Sequence, residues 1–182
     1  AFSPKEKAAI SSYLAENKLV LRHLLCTHGH FDHVFGAQFV CDTYHLQPEM
    51  CADEVPTYLQ AAEQMRMFLH RDFPLTLPSV GNTFKDGDLI TFGNHQLRVI
   101  ETPGHTPGGV CFYCEAEKLI FSGDSLFHHE IGRCDLPGGN KAQLICVLKE
   151  KILSLPSDVN VLPGHGVATT IGEEKRANRY LL

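Results

Sequence analysis

Apolar and polar positions change their period several times along this 182-residue chain. The opening Ser3-Pro4-Lys5-Glu6 combines a capping serine, a proline suited to the first helical position and a glutamate three residues after the serine. Ile10, Tyr13 and Leu14 follow as an apolar face, so an N-terminal helix is expected. The run from Leu21 to Cys26 predicts a buried strand, with a short helix from about Val34. Between Pro48 and Leu69 the pattern is helical, because Tyr58, Ala62, Met65 and Leu69 recur on one face. Arg71 to Val80, with two prolines, reads as a loop. The period then shortens to that of strands in "LITF", "HQLRVIET", "GVCFYC" and "KLIFSG", which are separated by "GN", "PGHTPGG" and "EAE". Leu144, Ile145, Leu148 and Ile152 mark another amphipathic helix, "DVNVLPGHG" a strand running into a loop, and the last residues a short helix. Strands mixed with helices, and no internal linker or repeat, predict one α/β or α+β layered domain over residues 1–182.

Composition narrows the function classes. The chain is 43% apolar and 20% charged, and its length is enough to bury roughly 70% of the unfolded surface without disulfides. No apolar stretch approaches the roughly 20 residues that span a bilayer, so no membrane partner is expected. A formal charge of −5 and the lack of any Lys/Arg run argue against a nucleic-acid partner, leaving a small-molecule substrate held locally. Seven cysteines at irregular spacings do not form a secreted framework, and "AFSPKEKAAI" is no signal peptide. A reducing cytoplasm is the expected setting. The chain opens without Met, from which residues upstream of Ala1 are expected.

The histidines carry the chemistry. In "THGHFDH", His28 and His30 lie two apart and, on extended backbone, point to one side, where they can grip one cation. Asp32 and His33 follow and can serve a second. Gly29 is expected to let the backbone turn between them. Imidazole and carboxylate suit zinc, iron or manganese. Further on, "TPGHTPGG" holds His105, "FSGDS" holds Asp124 and "LPGHG" holds His165, each at a strand end among Gly or Pro. His23, His45, His70, His95 and His129 are read as ordinary polar side chains, while His128 in "SLFHHE" is a candidate to face the substrate. Cys111 and Cys114 form C-x-x-C, but positions i and i+3 of a strand face opposite sides, so they are read as core. Arg133 and Asp135 of "GRCD" read as an ion pair before a substrate contact, although Arg133 is kept as a substrate candidate. Lys141 reads as a solvated first-turn residue.

The ordered pattern His-x-His-x-Asp-His, His, Asp, His resembles the metallo-β-lactamase superfamily over nearly the whole chain. "GDSLFHHEIGRCDLPGGN" and "PGHGVATTIGEEKRAN" are similar to its short glyoxalase II-like, hydroxyacylglutathione hydrolase-like members. The resemblance implies an αββα four-layer sandwich, here lacking its first N-terminal strands and the C-terminal helical glutathione-binding domain. It also implies two divalent metals, most simply zinc, with iron or manganese as alternatives. His28, His30 and His105 would hold the first, Asp32, His33 and His165 the second, and Asp124 would bridge them. A metal-bridging hydroxide would then attack a small thioester or related ester, with Asp32 or a metal-bound water taking the proton. Asp32 and Asp124 are thus the candidate catalytic carboxylates. Alternatives are a mononuclear iron persulfide dioxygenase, or a domain that binds metal without catalysing a reaction. A cysteine replaces Asp124 in the common zinc β-lactamases, and RNA-processing members add basic binding surface, so neither activity is expected.

Overall fold

The computed structural model describes residues 3–70 and 75–182. Helix α1 (Pro4–Glu16) begins as its sequence requires: the Glu6 N–H donates to Ser3 Oγ at 3.3 Å and the Ser3 N–H donates to Glu6 Oε2 at 2.7 Å. None of its residues is buried. Ser11 reaches the Tyr44 hydroxyl at 3.0 Å, and Lys7 lies over the Phe39 ring. The expected strand after it is shorter than the apolar run: only β1 (Leu24–Leu25) pairs, with α2 (Phe31–Val34) and α3 (Ala37–Tyr44) following.

The segment expected to be one helix from Pro48 is not. Pro48–Cys51 is strand β2, a 3₁₀ turn covers Ala52–Glu54, and two short helices follow, α4 (Val55–Leu59) and α5 (Ala61–Leu69). The break at Gln60 shifts the helical phase, so Tyr58, Ala61 and Met65 are buried while Ala62 and Leu69 are exposed. Residues 75–80 have no regular structure, as expected for a loop. The first part of that expected loop, residues 71–74, lies outside the described residues.

The remaining strands are β3 (Thr83–Phe84), β4 (Leu89–Phe92), β5 (His95–Glu101), β6 (Val110–Cys114), β7 (Leu119–Gly123), β8 (Leu126–Phe127), β9 (Glu130–Ile131), β10 (Asn160–Pro163) and β11 (Thr169–Thr170). They form a parallel three-stranded sheet, β1-β2-β3, a six-stranded sheet, β11-β10-β7-β6-β5-β4, and a hairpin, β8-β9. Helix α6 (Lys141–Val147) is capped by Asn140 and continues as a π-helical turn over Leu148–Ile152, and α7 (Ile171–Ala177) closes the order.

Side-chain alternation on β6 explains the layering. Cys111 and Tyr113 join a core with Leu144, Leu148, Ile152 and Ile171 from the C-terminal helices. Val110, Phe112 and Cys114 join a second core with Cys26, Met50, Tyr58 and Phe84 from the other half. Both faces of β6 are therefore covered, and the two cysteines of the C-x-x-C lie on opposite faces as free buried thiols.

Candidate metal centre

Strand direction gathers the candidate residues. β5 and β7 are each antiparallel to β6, and β10 is parallel to β7, so β5, β7 and β10 run the same way. Their C-terminal ends emerge at one edge, where His105, Asp124 and His165 follow Glu101, Gly123 and Pro163 within a few residues. Backbone hydrogen bonds tie the loops together: Val110 N–H donates to the Thr27 carbonyl at 2.9 Å and Gly164 N–H to the Gly123 carbonyl at 2.8 Å. The first bond brings the His28 loop onto the other sheet.

At this edge the rings of His28, His30 and His105 lie with centroids 4.7–4.9 Å apart. His33 Nε2 is 3.2 Å from His165 Nε2 and 3.2 Å from Asp124 Oδ1, and His165 Nε2 is 3.1 Å from Asp32 Oδ2. Asp124 Oδ2 lies 3.8 Å from His105 Nε2 and 3.6 Å from His165 Nε2. Three overlapping donor sets result, His28/His30/His105, His28/His33/Asp124 and Asp32/His33/His165, each with its ligand atoms within 4.8 Å of one another. All seven residues are thus brought together.

The donors fit metal ions on physical grounds. His28 Nε2 and His105 Nε2 are buried with no hydrogen-bond partner, a costly arrangement unless something binds them. The opposite ring nitrogens are occupied: His105 Nδ1 meets the Arg133 carbonyl at 2.7 Å and His28 Nδ1 lies 3.2 Å from Thr27 Oγ1, which orients each ring. Burial and the neighbouring histidines hold His28 well below the ordinary histidine pKa, and burial and His105 bring His30 to about 4. Burial likewise lowers His105. Burial disfavours charge on His33 as well, but its bond to Asp124 outweighs it and raises that pKa. The same bond overcomes burial at Asp124 and keeps its carboxyl below the usual range.

Gly29 serves space rather than a turn, which corrects the expectation from sequence. Its φ is not positive, but a Cβ there would sit 2.5 Å from the Tyr58 backbone nitrogen. Gly164 is similar: a Cβ would meet Asp124 Oδ1 at 2.3 Å.

One residue escaped the sequence reading. Glu54 is fully buried; its Oε1 accepts from the Gly29 N–H at 2.9 Å and its Oε2 from the Gly108 N–H at 2.8 Å. It joins the loop of His28 and His30 to the loop of His105. Burial raises its pKa against the hydrogen bonds it receives. Its only sequence signal, an acidic pair before "VPTYL", looks like a solvated helix start.

The secondary candidates separate. Arg133 makes a bidentate pair with Asp135 at 2.8 Å, lies over the Phe68 ring, and helps line a cavity of about 320 Å³ with Phe31, Leu136 and the metal-centre residues. His128 stands apart from the seven and stacks on His129 instead. Of the histidines read as structural, His23 bonds Glu49 at 2.8 Å, His45 and His70 end helices in left-handed conformation, and His95 stacks on Phe92. Lys141 opens α6 as expected, with its ammonium over the Tyr180 ring.

The family model of the metallo-β-lactamase superfamily matches residues 3–165. The chain belongs to this superfamily. Hydroxyacylglutathione hydrolase GloC of Haemophilus influenzae is 35% identical over 171 residues, covering 92% of this chain and 79% of that protein. Among solved structures, the BLEG-1 B3 metallo-β-lactamase superposes with a TM-score of 0.87 at 34% identity, covering 97% of this chain and 84% of that one. TTHA1623 in a di-iron-bound form gives 0.86 at 34% identity, covering 99% and 86%. This superfamily member thus has the mixed α/β fold that its ligand pattern implied, although the helix expected from Pro48 is a strand followed by short helices.

Proposed function

We propose that this chain is a dinuclear metal-dependent hydrolase of a small thioester or related ester. The observation that carries the reading is the set of seven donors at one sheet edge, among them the buried His28 Nε2 and His105 Nε2, which lack a hydrogen-bond partner. His28, His30 and His105 would hold one ion, Asp32, His33 and His165 the other, with Asp124 between them. A bound pair, zinc in the first instance and iron or manganese otherwise, would supply Lewis acidity for the carbonyl and a nucleophilic water at neutral pH.

The chain's own residues prepare that chemistry. The lowered pKa values of His28, His30 and His105 keep these rings neutral, so that one nitrogen of each carries no proton and is ready to ligate. Asp124, ionised, brings the negative charge two cations need. Asp32 is exposed at the mouth, where its Oδ2 can accept a proton as the substrate is attacked. A thiolate leaves without a strong acid, and none is needed in the cavity. Beside His30, a recess of about 210 Å³ lined by Thr57, Met67, Phe68, Leu136 and Pro137 offers apolar surface to the organic part of the substrate. Arg133, at the rim, offers charge to an anionic group. The likeness to GloC supports a thioester. The likeness to BLEG-1 favours a second reading, opening of a β-lactam ring, which is also attack on an activated carbonyl.

The test is elemental analysis of protein purified without added metal, followed by hydrolysis assays on S-acylglutathione, simple aryl thioesters and a chromogenic β-lactam. About two metals per chain and chelator-sensitive thioester cleavage are expected. Turnover of the β-lactam alone would establish the second reading. One iron per chain with oxygen-dependent persulfide oxidation, or a fully loaded protein inert to every thioester, would overturn the proposal.

A further inference from the structure

We propose that His128, His129 and Glu173 form a separate surface site for a divalent transition-metal cation of the zinc, copper or nickel type, one that fastens the β8-β9 hairpin to α7. One ligand atom from each residue lies within 4.8 Å of the other two. The His128 and His129 rings stack at a centroid distance of 3.9 Å and an angle of 28°, and His129 Nε2 is 2.8 Å from Glu173 Oε1. Two imidazoles and a carboxylate are a donor set of borderline softness, which suits these ions and not magnesium or calcium.

The backbone around the donors is fixed from below. His129 is left-handed, with φ of 61°, and its N–H donates to Glu174 Oε2 at 2.9 Å. Glu174 is fully buried and also accepts from Thr169 Oγ1 at 2.7 Å and Asn178 Nδ2 at 2.8 Å. Glu173 is the third residue of α7, and its N–H donates to the cap Thr170 Oγ1 at 3.1 Å. The hairpin and the helix are thus held in register, and only side-chain rotations are needed to close the donors around an ion. Arg176 pairs with Glu173 but is itself exposed, so a cation can displace it. Three protein donors leave remaining positions to water, and exposure makes this site weaker than the buried centre.

This inference does not rest on the proposed hydrolase activity. Protein loaded at its buried centre is freed of loose metal, then titrated with Zn²⁺ by calorimetry, alongside His128→Ala and His129→Asn. Asparagine tolerates the left-handed backbone, and His128 is exposed, so both variants should fold, which circular dichroism checks. Wild type should take one more equivalent than either variant and should show a rise in Tm on titration that both variants lack. With Cu²⁺ in place of Zn²⁺, its spin resonance spectrum should carry hyperfine structure from two nitrogens. Equal stoichiometry in the three proteins would overturn the proposal. So would loss of more than one equivalent in a variant, since the cluster would then not be separate from the buried centre.

Discussion

Asp124 touches both halves of the candidate metal centre, through His105 on one side and through His33 and His165 on the other. Asp124→Ala is therefore expected to release the metals and abolish hydrolysis; two retained metals with wild-type turnover would refute its bridging role. Glu54 acts at one remove. Glu54→Gln keeps one good acceptor but turns an amide N–H₂ toward a glycine N–H, so one clamp is lost. Metal affinity should fall about 10–100-fold, and unfolding free energy by about 1–3 kcal/mol, measured by chelator competition and by urea titration. These two residues show what a sequence exposes at this scale. The seven candidate ligands could be picked out because five of these metal-binding side chains adjoin a glycine and the other two, Asp32 and His33, follow directly on the His-x-His pair. Glu54 could not, because its meaning lies in contacts with Gly29 and Gly108, far along the chain, and no local pattern encodes them. The nearness of His128 to Glu173 was hidden for a related reason: that neighbour on α7 is invisible until the helix is docked.

Elements were legible where periodicity ran unbroken. The strands β4 to β7 and the capping box of α1 follow directly from their patterns. The error at Pro48–Cys51 came from extending a helical period backwards across a segment whose backbone pairs with β1 and β3, a choice set by tertiary contact rather than by local preference. The π-helical turn after α6 was equally hidden. There the Leu153 N–H donates to the Leu148 carbonyl at 2.8 Å, and Leu148 and Ile152 are both fully buried against the six-stranded sheet. Leu148→Ala should cost about 2–5 kcal/mol of stability, the usual range for a truncated buried leucine. Thermal or denaturant unfolding measures it, and a change under about 0.5 kcal/mol, typical of surface positions, would contradict that packing.

Across the whole molecule, the turn before β4 is linked to the C-terminal half by Asp86, which pairs with Lys151 at 2.9 Å and accepts the Glu101 N–H at 2.8 Å. Partial burial opposes its charge, yet Lys151 and that N–H lower its pKa below the ordinary value. A lowered carboxyl pKa in the folded state means the pair's stabilisation is fully present above about pH 4 and is lost as pH falls through the folded value. Asp86→Asn should therefore destabilise the protein near neutrality and flatten the acid limb of its stability curve, read by urea midpoints at successive pH values. An unchanged acid limb would show that the pair contributes nothing.

The common direction of β5, β7 and β10 has a practical consequence. If their C-terminal ends carry the metal-centre loops, then the Gly93-Asn94 turn, the Glu115–Lys118 turn and the approach to Asn160 all lie on the far rim. A chain anchored to a bead or electrode through the Glu115–Lys118 turn would hold its candidate metal centre facing the solution, oriented by its own sheet.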